Sequence, residues 1–209
     1  GGGAGMGGAV FVVEGGTLNI EGGFNIEGGS VAGGAGGSAN AAAGSAFGSG
    51  LFLQGSGTLV FTAGVGSTQT IADGIADQTG SGGSGSYDGG GPVCTPGVGC
   101  SGYSGEGSWA LVKDGEGELV LSGTNTYSGA TTVRQGRLVV NGSIVSDTIV
   151  DDGGILGGTG TVAGVTVASG GVHAPGNSIG TQTVAGNYVN HGTLHIEATP
   201  AGADRIVVM

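Results

Sequence analysis

The sequence predicts an all-β chain: a right-handed parallel β-helix, or solenoid, with glycine-rich loops projecting from it. Three observations predict this. First, a unit of glycine, any residue, an apolar residue, any residue and a second apolar residue recurs at 16–20, 57–61, 117–121, 136–140 and 192–196, with shorter forms at Gly154-Ile155-Leu156 and Gly171-Val172-His173. Second, from Leu119 onward its central residue falls at 119, 138, 156, 173 and 194, in steps of 19, 18, 17 and 21 residues. Third, each step holds runs of three to five residues that alternate with period two, and no eleven-residue window carries a helical period.

The elements follow from that rhythm. The runs are rich in Val, Ile, Thr and Leu, as at 131–133, 149–150, 165–167 and 181–184. Gly, Asn, Asp and Ser bound them and supply turns that need positive φ. A step holding two or three such strands is one coil. Coils stacked about 4.8 Å apart bury their inward side chains as ladders and satisfy their backbones against their neighbours. Roughly eight coils fit, giving a rod about 40 Å long. A sandwich or closed barrel would not require so steady a step. Upstream, residues 11–20 resemble 52–61 at an offset of 41, read here as two steps.

Composition sets the outer limits. The 55 glycines and 4 prolines make 59 of 209 residues, a level at which disorder is the usual reading. Against it, Val, Ile, Leu and Phe total 48 residues, about 23% against a floor of roughly 20% for chains that cannot build a core. Charged residues are only 9%, and the glycines have no period of three, which excludes collagen. Fifteen acids face only Lys113, Arg134, Arg137 and Arg205, for a net charge of −11. That excludes nucleic acid as a partner, because phosphate neutralisation needs a basic stripe, and it disfavours anionic membranes. No apolar run reaches transmembrane length, and the opening GGGAGMGG is not a signal peptide. Both ends read as cut from something longer.

Two stretches interrupt the rhythm, at 28–50 and 79–108, and read as loops off the rod. The expected organisation is therefore 1–108 as coils carrying those two insertions, 109–152 as a repeat unit and 153–209 as C-terminal coils. Cys94 and Cys100 lie in the second loop. A disulfide closing that short loop is expected in an oxidising compartment, worth about 2–3 kcal/mol by loop entropy, with free thiols as the alternative. Two thiols without a nearby His or a second pair make a poor zinc set.

Residues 110–143 read ALVKDGEGELVLSGTNTYSGATTVRQGRLVVNGS. They resemble the autotransporter-associated β-strand repeat, or passenger-associated transport repeat, of bacterial type V secretion passengers. The matching positions are Leu111, Lys113, Gly115, Gly117, Leu119, Leu121, Ser122, Gly123, Asn125, Thr126, Tyr127, Gly129, Thr131, Val133, Gly136 and Leu138. Residues 153–208, with Pro175, Gly176, Asn177, Ser178 and Gly180 at their centre, resemble the junction and autochaperone region that ends such passengers. GGAV at 7–10 and the following FNIEGG resemble the repeats of polymorphic outer-membrane proteins, but Glu27 departs from FxxN.

The resemblance implies a non-catalytic stalk that supports secretion and surface folding, within an adhesin or self-associating surface protein. The alternative is the stalk of a protease or esterase whose catalytic domain lies upstream. It implies a C-terminal outer-membrane β-barrel of the same polypeptide as partner, contact with a host surface or matrix or self-association, and a place at the cell surface of, or secreted from, a Gram-negative bacterium. It also implies structural roles for the matched residues.

The residues that could carry chemistry are few. Gly176-Asn177-Ser178-Ile179-Gly180 fits the nucleophile-elbow pattern, but an elbow needs a strand-to-helix turn and no helix follows. No catalytic residue is assigned. On a strand, His191, His195 and Glu197 would share a face, with His173 one coil away; all three histidines read as polar surface. Residues 82–88 nearly fit a calcium-binding nonapeptide, but the Asp comes one residue late. Matches to GxGxxG lack a strand–helix unit. No metal and no cofactor is expected. Arg134, Arg137, Asp147, Asp151 and Asp152 read as single charges on exposed faces, Asp204 and Arg205 as structural, and Trp109 as a packing anchor.

Overall fold

The structure is a computed structural model, and it describes residues 3–15, 18–37, 42–81 and 107–209. It is a right-handed parallel β-helix with no helix among the described residues. Alternating runs too short to bury a face alone do so by stacking, and every ladder between coils is parallel.

Three faces run along the rod. The first is built from Asn19–Glu21, Gly57–Thr62, Trp109–Asp114, Thr131–Val133, Thr148–Val150, Val165–Val167 and Tyr188–Asn190. The second follows one corner later, from Phe24–Ile26, Thr68–Ile71, Glu118–Leu121, Gly136–Val140, Gly154–Gly158, Val172–Pro175 and Thr193–Leu194. The third begins with Val10–Val12, Leu51–Leu53 and Ile75–Asp77 and continues through Thr124–Asn125, Ser143–Ile144, Thr161–Val162, Thr181–Val184 and Arg205–Val208. Its two parts join where the Thr126 amide donates to the Ile75 carbonyl at 2.8 Å. Numbered by these third-face strands, the described residues form eight coils, with coil 3 at 57–77, coil 4 at 109–125, coil 5 at 131–144, coil 6 at 148–162, coil 7 at 165–184 and coil 8 at 188–208.

The register is the one the steps predict. Leu119 pairs with Leu138, Leu138 with Leu156, Leu156 with His173 and His173 with Leu194. Leu119, Leu138 and Leu156 are fully buried, each worth roughly 1.5–3 kcal/mol of transfer free energy. A second inward ladder on the first face runs Phe61, Lys113, Val133, Val150, Val167, all without exposure.

Two expectations change. The offset of 41 is one coil, not two: Phe11 pairs with Phe52 and Ile20 with Phe61. Coil 2 is long because it contains the 28–50 stretch. Moreover, the unit at 57–61 lies on the first face, with Gly57 opposite Trp109, whereas those at 117–121 and 136–140 lie on the second. Glycine followed by alternation marks any corner-to-strand passage, so the unit recurs on both faces.

The 28–50 stretch leaves and rejoins the wall. Within it, Ala46–Phe47 pairs with Gly5–Met6, and the Gly34 amide donates to Gly3 O at 2.7 Å and the Gly44 amide to Gly34 O at 2.9 Å. Cys94, Cys100 and the near-match to a calcium loop lie outside the described residues.

Candidate functional site

The positions of 111–140 that match the repeat point into the coil stack or turn its corners. Leu111, Leu119, Leu121, Val133 and Leu138 are buried apolar side chains. Gly117 and Gly129 sit where an added Cβ would lie 2.2 Å from Gly64 O and 2.5 Å from the Trp109 backbone, so the corners close only on glycine. Gly136 combines such crowding, 2.4 Å to Gly115 O, with φ of +70°.

Its polar members are buried too, and each finds partners in other coils. Lys113 stands in the apolar first-face ladder, yet its Nζ donates to the carbonyls of Asp114 (2.9 Å), Gly115 (2.7 Å) and Gln135 (3.0 Å), tying coil 4 to the corner of coil 5. Burial holds its ammonium below the ordinary lysine value, against the opposing pull of Asp114 and Glu118. Asn125 spans three coils. Its Oδ1 accepts from the Ile75 amide at 3.1 Å, and its Nδ2 donates to Gly123 O and Ser143 O at 3.0 Å each. Tyr127 is buried with its hydroxyl 2.6 Å from Thr131 Oγ1, which in turn lies 3.3 Å from Ser146 Oγ. Burial pushes that phenol well above its ordinary value, so it stays neutral. Thr126 is half-buried and contributes the backbone bond to Ile75 already noted.

Further buried polar groups lie outside the matched repeat. Asp77 accepts four hydrogen bonds: Oδ1 from the Gly80 amide (2.7 Å), and Oδ2 from the amides of Trp109 (3.0 Å) and Ser128 (2.7 Å) and from Ser128 Oγ (2.8 Å). It clamps the chain on both sides of residues 82–106. Trp109 packs over Gly57 and donates through Nε1 to Gln54 O at 3.2 Å. Gln69 heads the leucine ladder, and its Nε2 donates to Ile20 O, Gly22 O and Thr62 O.

His173 is the clearest departure from expectation. It is not surface: it is fully buried at the ladder position between Leu156 and Leu194. Gln182 Nε2 donates to Gly157 O at 2.9 Å, which leaves Gln182 Oε1 to accept from His173 Nε2 at 2.7 Å. His173 Nδ1 then accepts from the Tyr188 hydroxyl at 3.1 Å. Burial lowers its pKa, and the neutral ring is the one this network fits. The alternation of the strand was the available signal, since it places 173 inward with 156 and 194. His191 and His195 are exposed beyond the ends of Tyr188–Asn190 and Thr193–Leu194, so no strand puts them on one face. Among the described residues no group of three His, Cys, Asp or Glu side chains is placed to hold a metal ion.

The G-x-S-x-G stretch is a strap. Gly176 forms an antiparallel bridge with Gly158, and Asn177 Nδ2 donates to Asn141 Oδ1 at 2.9 Å. Arg137 does not stand alone on its face: its Nη2 donates to Gly176 O at 3.2 Å, and its Nε lies 3.6 Å from Glu118 Oε2. Beside the strap is an open hollow of about 360 Å³, lined by Arg137, Asn177, Ser178, His195, Glu197 and Asp204 among others. Despite that company, the Ser178 hydroxyl has no hydrogen-bond partner among the described residues. Asp204 is committed to backbone amides, accepting from Gly180 at 2.8 Å through Oδ1 and from Glu197 at 2.8 Å through Oδ2. A relay would need a histidine bonded to the serine and oriented by the acid, and neither bond is present.

Residues 111–140 match the passenger-associated-transport-repeat family. The chain therefore carries the repeat of an autotransporter passenger. An extracellular serine protease of Serratia marcescens is 47% identical over 75 residues, 36% of this chain and 7% of that protein. The adhesin BmaC autotransporter of Brucella suis biovar 1 (strain 1330) is 45% identical over 75 residues, 34% of this chain and 2% of that protein. A second extracellular serine protease of S. marcescens is 38% identical over 90 residues, 43% of this chain and 8% of that protein. The chain thus spans less than a tenth of the length of these curated relatives. The passenger segment belongs at the cell surface of a Gram-negative bacterium or in its secreted material.

Proposed function

We propose that this chain is a non-catalytic β-helical stalk that supports secretion and surface folding of an autotransporter passenger, within an adhesin or self-associating surface protein. The observation that carries the reading is where the polar residues of the repeat direct their hydrogen bonds. Lys113, Asn125 and Tyr127 all turn inward and bond neighbouring coils or corners. Side chains held this way build a rod rather than receive a substrate. In this reading 109–152 is one repeat unit, 153–209 folds first and templates the coils before it, and an outer-membrane barrel of the same polypeptide follows. Contacts with a host surface or with other copies would use the outer faces and loops.

The test is refolding from denaturant, followed by circular dichroism and protease resistance. The 209-residue chain is expected to regain its β signal, and a chain ending at residue 152 to regain it slowly and incompletely. Equal rates and equal resistance would remove the templating role.

A second reading has a specific observation behind it: two of the relatives are named extracellular serine proteases. This segment would then be the stalk of an enzyme whose catalytic domain lies upstream. Neither reading places catalysis in these residues. Hydrolysis of a chromogenic ester by this chain, abolished by Ser178→Ala, would contradict both.

A further inference from the structure

We infer that the strap at 175–180 is a cross-coil latch, which fastens coil 7 to coil 5 over the outside of coil 6 so that the three coils open as one unit. In a solenoid each repeat ordinarily touches only its neighbours, and stability is a sum of nearest-neighbour terms. Coils 5 and 7 are two rises apart, about 10 Å, beyond the reach of a direct ladder bond. The strap crosses that gap. From coil 5, the Arg137 guanidinium passes over Gly157 of coil 6, where an added Cβ would lie 2.7 Å from Nη2, and reaches Gly176 O of coil 7. Asn141, also in coil 5, uses one oxygen twice: Oδ1 accepts from the Thr159 amide after coil 6's second-face strand (3.3 Å) and from Asn177 Nδ2 of the strap (2.9 Å).

The strap is shaped for this path. Gly176 turns at φ +90° and Gly158 at φ +103°, and their paired amides and carbonyls (3.1 and 2.8 Å) lay the strap against coil 6. Its far end is held by coil 8, where Asp204 accepts from the Gly180 amide. Opening coil 6 therefore requires the latch to release as well as the two ladders on either side. The G-x-S-x-G residues that resemble a nucleophile elbow owe their pattern to this turn: two glycines bracket a fold-back, and the exposed serine between them needs no partner.

The test is per-residue hydrogen exchange on the intact 209-residue chain. Asn177 is exposed, so Asn177→Ala leaves the core untouched. The reporters are the coil-5 amides of Arg137 and Asn141, which donate to Gly117 O and Leu121 O of coil 4 and touch nothing in coil 7. The latch predicts that Asn177→Ala speeds their exchange about two- to tenfold, the range one hydrogen bond confers. Asn141→Ala should do the same, Asn141→Asp, which keeps both accepting contacts, should exchange like the wild type, and the double alanine variant should be no faster than the faster single one. Acceleration confined to coil 7 and the strap, or additive effects of the two alanine changes, would overturn the latch.

Discussion

Coils 1–3 and coils 4–8 hold themselves together in different ways. From coil 4 onward equivalent residues are 17–24 apart, as Leu111, Thr131, Thr148, Val165 and Tyr188 show on the first face and Thr183 and Val207 on the third. Each coil there meets the next through ladders on all three faces, and side chains such as Asn125 and Arg137 add bonds across coils. Before coil 4 the steps are long: 41 residues separate Ile20 from Phe61, and 52 separate Leu59 from Leu111. Each long step carries extra residues, and beside each stretch an aspartate accepts amides that the interrupted ladder leaves free. Asp73 accepts from Gly29 at 2.7 Å beside the 28–50 stretch, and Asp77 accepts from Gly80, Trp109 and Ser128 beside 82–106. A solenoid thus tolerates an insertion when the corner it leaves from is closed by a carboxylate rather than by another rung.

Substitutions can sharpen or break that contrast. The largest effect is expected from Leu138→Ala, which empties the centre of a fully buried ladder and should cost about 4 kcal/mol in urea unfolding. Phe24→Ala at the half-covered end of the same face should cost clearly less, and equal losses would mean that coil 2 is as well packed as coil 5. Next comes Asp77→Ala. It strips acceptors from three amides and a hydroxyl at once and should cost about 3 kcal/mol, read in the same unfolding experiment.

Acid should act on the C-terminal block before the rest. His173 is held neutral by burial, so its folded-state pKa lies below the ordinary 6.5. Unfolding at lower pH then takes up a proton. Stability is complete above about 6.5 and falls as pH drops below it toward the folded-state pKa, by up to about 1.4 kcal/mol per unit. Thermal unfolding at pH 7 and 5 should show the loss, and His173→Gln should reduce it; an unchanged pH dependence would sink the assignment. The smallest effect is Asp73→Ala, about 1 kcal/mol, since only the Gly29 amide loses its partner.

Much of this was legible in the sequence, and the limits have physical causes. The positions 119, 138, 156, 173 and 194 are consecutive rungs, because a strand's period of two and a constant coil length leave little freedom in register. The pairing of Phe11 with Phe52 was visible as well, but not that a single coil separates them. Coil length and insertion length add along the chain, and only the ladder tells them apart. The buried polar groups were not visible. Alternation says that Lys113 and His173 point inward, but their partners, Gln135 and Gln182, lie 22 and 9 residues away at another coil's corner or on another face. The strap was hidden for the same reason, its anchors being Arg137 and Asn141, 39 and 36 residues upstream.

Hydrogen exchange on the unmodified chain tests the division between the two regions most directly. The amides of Leu111, Leu138 and Val165 should exchange at one shared slow rate, set by the opening of coils 4–7 together, and those of Val12 and Ile20 should exchange well before them. Protection of Val12 and Ile20 equal to that of Leu138, or separate rates for each rung from coil 4 to coil 7, would contradict it.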